Sequence, residues 1–134
     1  MARFNIYPKD GEKFILTFHR FELAAHGESF TLFNDDDQQT GDAFLSLDNM
    51  AAIVPEEQPQ NTKCFSVHLR NKEPFPVYAE EFKENEPTVD FYAEREPPFD
   101  LRDMVSVSVP STRSPIKNVY VALSEVIAII CVSS

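Results

Sequence analysis

The sequence predicts an all-β protein built as a tandem duplication of a small unit of about five strands. Three observations carry that expectation. Residues Arg3–Phe21 align without a gap on Cys64–Phe82, so that Phe4 falls on Phe65, Ile6 on Val67, Phe14 on Phe75 and Phe21 on Phe82. A second block, Phe44–Val54, matches Tyr120–Ile130. Apolar residues alternate with a period of two through several stretches, which is the spacing of half-buried strands.

In the first copy, Arg3 to Tyr7 alternates and places Phe4 and Ile6 on one face. Asp10-Gly11 then reads as a hairpin turn, with glycine supplying a positive φ. Lys13 to His19 alternates again and sets Phe14, Leu16 and Phe18 together. Phe21 to His26 reads as strand or as one helical turn: Leu23, Ala24 and Ala25 suit a helix, yet the piece is too short to be stable alone. His26-Gly27 marks a turn, and Ser29 to Asn34 follows as a strand with Phe30 and Leu32 inward. The polar loop Asp35 to Gly41 leads to Phe44–Leu47. A break at Asp48-Asn49 precedes Met50 to Val54, and Pro55 stops that strand.

Residues 1–55 are thus the first repeat and 56–62 a linker, since Glu56 to Asn61 contains no apolar residue. Residues 63–134 are the second repeat. There Asn71-Lys72 and Asn85-Glu86 stand where the first copy has glycine turns, and asparagine tolerates the left-handed conformation. Pro74 and Pro76 flank Phe75, which places that strand at an edge. The offset between copies grows from 59 (Phe33 to Tyr92) to 76 (Phe44 to Tyr120), an insertion of 76 − 59 = 17 residues within about 93–117. Inside it, Met104 to Val109 alternates valine with serine, and prolines 97, 98, 110 and 115 bound the segment. The closing run, Val126 to Val132, is apolar on both faces. It is expected to be central, or buried in a copy–copy or subunit interface.

A sixty-residue unit buries only about 60% of its unfolded surface, so two such units must pack together or share a core. In size and strand count each is similar to the partly open barrels of the SH3 and Sm kind. The alternative is one β-sandwich with pseudo-twofold symmetry.

The net charge is −10. The first sixty residues hold eleven acids and four bases (−7), and the remainder eleven acids and eight bases (−3). Such a surface repels phosphate backbones and disfavours direct nucleic-acid binding, while it suits solubility, a basic protein partner or mimicry of a polyanion. The two cysteines, Cys64 and Cys131, lie too far apart for a zinc or redox motif, and both are expected to be unbridged and buried in apolar strands. The N-terminal residues lack the apolar core of a secretory signal, and no apolar run approaches the length of a membrane helix. Cytoplasmic residence is therefore expected.

Motifs with chemistry are sparse. Asp35-Asp36-Asp37 and Asp42 form the densest acid cluster, without the spacing of a calcium loop. His19, His26 and His68 occupy non-equivalent positions in the two copies, whereas a duplicated metal site would repeat its ligands. Cys64 and His68, four residues apart on one strand, stand about 13 Å apart, beyond direct proton transfer. No cofactor or metal is expected. Tyr7, Tyr78, Tyr92 and Phe99 are candidates for exposed anchors or for covering the junction between copies. The expected function is a non-enzymatic acidic protein-binding module: an adaptor, an assembly component or an inhibitor of a basic or nucleic-acid-binding protein. A small-ligand binder using the cleft between repeats and an enzyme with an unfamiliar site are the alternatives. The candidate interaction residues are Phe99, Met104, Val105, Val107 and Val109, on an insertion that could add a strand from a protein partner or a second copy.

Overall fold

The computed structural model describes residues 2–23, 29–41, 43–94 and 113–133. In the first half of the chain the strands are β1 (Ala2–Pro8), β2 (Phe14–Phe18), β3 (Arg20–Leu23), β4 (Ser29–Phe33), β5 (Leu45–Ser46) and β6 (Met50–Pro55), with a single 3-10 turn, Leu47–Asn49, before β6. In the second half they are β7 (Lys63–Leu69), β8 (Phe75–Ala79), β9 (Glu81–Asn85), β10 (Thr88–Glu94), β11 (Arg113–Pro115), β12 (Tyr120–Val121) and β13 (Val126–Ser133), with a 3-10 turn, Leu123–Glu125, before β13. Among the described residues there is no α-helix, and the all-β expectation holds.

The strands form four open sheets, ordered β12-β6-β1-β2, β3-β4-β5, β13-β7-β8 and β9-β10-β11. Three ladders of the first half, β1–β2, β1–β6 and β3–β4, have counterparts in the second half in β7–β8, β7–β13 and β9–β10, whereas β12–β6 has none. Ile6 lies opposite Phe14 and Ile53, and the corresponding Val67 lies opposite Phe75 and Ile129. Phe21 lies opposite Leu32, and Phe82 opposite Phe91. A register shift skips Ala51 in the β1–β6 ladder, and one at the corresponding place skips Ile127 in β7–β13.

Arg20–Leu23 is a strand, not a helical turn. Phe21 reaches the core, where its ring meets those of Phe4 and Phe30 edge-on at 6.0 and 5.7 Å. The His19 N–H donates to the Phe33 carbonyl at 2.8 Å and carries the β3–β4 ladder back to the bend. Burial of the Phe21 ring fixes the described part of this segment as strand, and Ala24 to His26 lie outside the described residues. Gly11 (φ 103°) and Asn71 (φ 57°) supply the left-handed residues of the two hairpin turns.

Two apolar cores result, and each draws on both halves. Phe4, Phe18, Phe21 and Phe30 fill the first, and Tyr120 and Ala122 from the second half complete it. Phe65, Val67, Phe75 and Phe91 fill the second, together with Tyr7, Ala51, Ala52 and Val54 from the first half. The hinge of this arrangement is β6, every residue of which is buried. Ile53 faces the first core while Ala51, Ala52 and Val54 face the second, which is why that strand is apolar on both sides. Tyr7, a candidate exposed anchor, is buried at this junction and stacks on Phe75 with ring centroids 4.6 Å apart.

Three expectations are corrected. First, β13 is not central, nor is it buried between the two copies: among the described strands it pairs with β7 alone, its Val126 and Ile129 touch the second core, and Ile127, Ile130 and Val132 are exposed within the chain. Apolar composition predicted two covered faces, but no described element of the chain lies along its outer side. Second, Cys131 on that strand is exposed; Cys64 is buried, and no disulfide joins the two. Third, Phe14 does not share the burial of Phe18: Phe75 also opens an edge strand but is covered by the Tyr7 ring, and among the described residues no ring stacks on Phe14.

Candidate functional site

The polar clusters singled out above serve local structure. In the acidic loop, Asn34 Oδ1 accepts the N–H groups of Asp36 and Gln38 at 3.1 and 3.0 Å, which shapes a tight turn. Asp37 sits at φ 61° and accepts a hydrogen bond from Arg20 Nε at 2.7 Å. That hydrogen bond is the first cause holding the Asp37 carboxyl below its usual range, and Arg20 is raised in turn. Arg20 also donates to Glu22 at 2.6 Å and lies over the Phe33 ring at 3.8 Å. His19 Nδ1 lies 3.7 Å from Asp35. Among the described residues no group of three His, Cys, Asp or Glu is placed to hold a metal ion.

On β7, His68 Nε2 lies 3.1 Å from Ser66 Oγ, so its neighbour on that face is a serine and not Cys64. Cys64 instead faces Tyr78 across the β7–β8 ladder. A hydrogen bond to Cys64 is the first cause raising the Tyr78 hydroxyl above its ordinary value, with burial second. His26, Asp42 and the interaction residues Phe99, Met104, Val105, Val107 and Val109 lie outside the described residues.

What the fold exposes is strand edge. The edge of β8 is guarded: Pro76 lacks a donor, and the linker residue Gln58 lies along it. Gln58 Nε2 donates to the Pro76 carbonyl at 2.9 Å, and the Tyr78 N–H donates to Gln58 Oε1 at 3.0 Å. The edge strand β9 carries Glu81, Lys83 and Glu84, and β3 carries Arg20 and Glu22. By contrast β13 has no charged residue from Val126 to Val132, and Ile127, Ile130 and Val132 are 65%, 50% and 59% exposed. Phe14, Ile15, Leu23 and Phe44 of the first half are the other large apolar side chains exposed among the described residues.

The halves also enclose a cleft of about 410 Å³ between β3 and the β10–β12 region, lined by Arg20, Leu23, Asp90, Lys117 and Tyr120 among others. The sequence pattern missed Phe14, Phe44, Ile127 and Ile130 as surface groups. The one available signal was that Val126–Val132 is more consistently aliphatic than the matching Met50–Pro55, although a free edge calls for the opposite.

No protein-family model, curated protein or solved structure matches this chain. Among the described residues no helix is long and apolar enough to cross a membrane.

Proposed function

We propose that the chain is a non-enzymatic, acidic protein-binding module, an adaptor, assembly component or inhibitor, that engages its partner by strand addition. We infer with it that the scaffold is a tandem duplication of two SH3- or Sm-like, partly open barrels packed on each other. The corresponding ladders of the two halves support the duplication, down to the matching skipped residues Ala51 and Ile127.

One observation carries the binding role: among the described strands β13 is paired on one side only, with β7, and it exposes three aliphatic side chains on a stretch without charge. An unpaired edge offers backbone donors and acceptors to an incoming strand, and exposed alternate side chains supply contact area. The charge of −10 steers basic partners. The module works in the cytoplasm, where neither cysteine needs a bridge.

The test is capture of partner proteins by the tagged chain from its native host at low and high salt, beside an Ile130→Lys variant whose fold is checked by circular dichroism. Loss of the specific partner in the variant is expected. Undiminished capture would refute strand addition at β13. The cleft lined by both halves favours a second reading, a small-ligand binder, since its volume lies at the lower end of ligand sites. Native mass spectrometry of the purified protein tests it: a bound small molecule supports the cleft, and a bare mass after gentle purification counts against it.

A further inference from the structure

Within one chain, the second half docks on the first through β12 and β6. Tyr120 lies opposite Ile53, Val121 lies opposite Ala52, and the Ala122 N–H donates to the Ala51 carbonyl at 2.8 Å. Each of these residues has a counterpart 76 positions away. The counterparts of Tyr120, Val121 and Ala122 are Phe44, Leu45 and Ser46. Those of Ile53, Ala52 and Ala51 are Ile129, Ala128 and Ile127. The two sets do not meet in the chain: among the described strands β5 pairs only with β4 and β13 only with β7.

Exposure follows the same division. Tyr120 is 7% exposed and Phe44 73%. Phe75, which stacks on Tyr7 at the junction, is 5% exposed, and its counterpart Phe14 is 41%. Ala51 and Val54 are buried under the second half, whereas their counterparts Ile127 and Ile130 are bare. One side of the internal junction is thus repeated on the first half and the other on the second, and among the described residues neither repeat has an occupant.

We propose that the chain associates head to tail with copies of itself, β5 and Phe14 of one molecule docking on β13 of the next in the register of the internal β12–β6 junction. The proposal rests on the protein-binding reading of the β13 edge and names its partner as a second copy. Phe44 then lies opposite Ile129 of the next molecule, Leu45 opposite Ala128, and Phe14 packs near His68, the counterpart of Tyr7. Such a contact joins unlike surfaces. It therefore propagates, closing into a ring if the rotation per step permits and extending as a fibre if it does not. Every contact brings a half of charge −7 against a half of charge −3, so added salt strengthens the assembly by screening like charges.

The test uses the full chain and two single variants, Phe44→Lys and Ile130→Lys, each at an exposed position that leaves both cores intact. Mass is read by light scattering from about 1 to 100 µM, a range that spans micromolar dissociation constants. The wild type is expected to exceed the monomer mass, more so at high salt. Each variant alone should be monomeric, because each has lost one of the two surfaces. Mixing the two variants should give a heterodimer of twice the monomer mass and nothing larger, since the intact β13 of one meets the intact β5 of the other. A monomeric wild type across the range overturns the proposal. If β13 variants still lose a foreign partner, the protein-binding reading survives; if they lose nothing, both fail. A wild-type oligomer with no heterodimer from the mixed variants overturns the head-to-tail geometry. A second readout is direct: Phe44→Cys and Ile129→Cys in a chain otherwise free of cysteine should form an intermolecular disulfide, because residues opposite in a ladder lie within bridging distance.

Discussion

Phe75 and Phe14 occupy matching places in the two halves but not matching environments, and truncating each to alanine separates them. Phe75 is 5% exposed in the second core and stacks on Tyr7 at 4.6 Å. An aromatic residue buries about 150–250 Å². At about 25 cal/mol per Å² that is roughly 4–6 kcal/mol as an upper bound, and measured Phe→Ala losses in cores run about 3–5 kcal/mol. Of this, the stack with Tyr7 accounts for about 0.5–1.5 kcal/mol. Phe14 is 41% exposed and closes no cavity, so Phe14→Ala should cost about 1 kcal/mol or less. The assay is urea unfolding by circular dichroism at submicromolar protein, a concentration chosen to disfavour the proposed self-association. With m near 1–3 kcal/mol per molar, Phe75→Ala should lower the midpoint by about 1–5 M and Phe14→Ala by about 1 M or less, several-fold less at any one m. A double cycle with Tyr7→Ala isolates the stack. Equal losses at the two positions, or no coupling between Tyr7 and Phe75, would refute the asymmetric junction.

Ile129 touches the second core from an edge strand, so Ile129→Ala should cost about 1–2 kcal/mol in the dilute monomer, below the 2–5 kcal/mol of a fully buried site; denaturant midpoints decide between the two. Burial first, and Glu73 and Asp48 second, raise the hydroxyls of Tyr7 and Tyr120 above their ordinary value of 10.0. The unfolded chain therefore loses these protons first as pH climbs past about 10. Their contribution is complete below that pH and fades as pH rises through the folded values; Tyr7→Phe with Tyr120→Phe should flatten the decline, and an unchanged pH curve would count against it. Gln58→Ala removes two hydrogen bonds from the β8 edge and should cost about 1–2 kcal/mol, with faster amide exchange confined to Tyr78 and its neighbours.

Much of the strand order was legible because alternation is a local signal and was written twice. Phe4 and Ile6, then Phe65 and Val67, mark the same face of the same strand, and Pro76 marked an edge that the structure places at the margin of its sheet. What escaped detection depends on partners remote in sequence. The short Phe21 segment was ambiguous until its ring met Phe4 and Phe30. Tyr120 and Phe44 align yet end in opposite environments, because only Tyr120 reaches a neighbouring half within the chain. No window of sequence distinguishes them, since the difference lies in what is docked alongside. The acidic loop Asp35 to Gly41 already lacked the spacing of a calcium site in sequence. Its geometry commits Asn34 and Asp37 to the turn and to Arg20.

The placement of Tyr120 in the first core has a consequence for synthesis on the ribosome. A nascent chain that has reached Pro55 holds every strand of its first half, yet the site beside Phe30 and Ile53 stays open to water. Its occupant is about 65 residues downstream. At about 5–20 residues per second it emerges roughly 3–13 s later. For that interval the outer flank of β6 lacks the strand that pairs with it in the finished chain. The first core thus stays incomplete through that part of translation and closes once the chain supplies its own Tyr120.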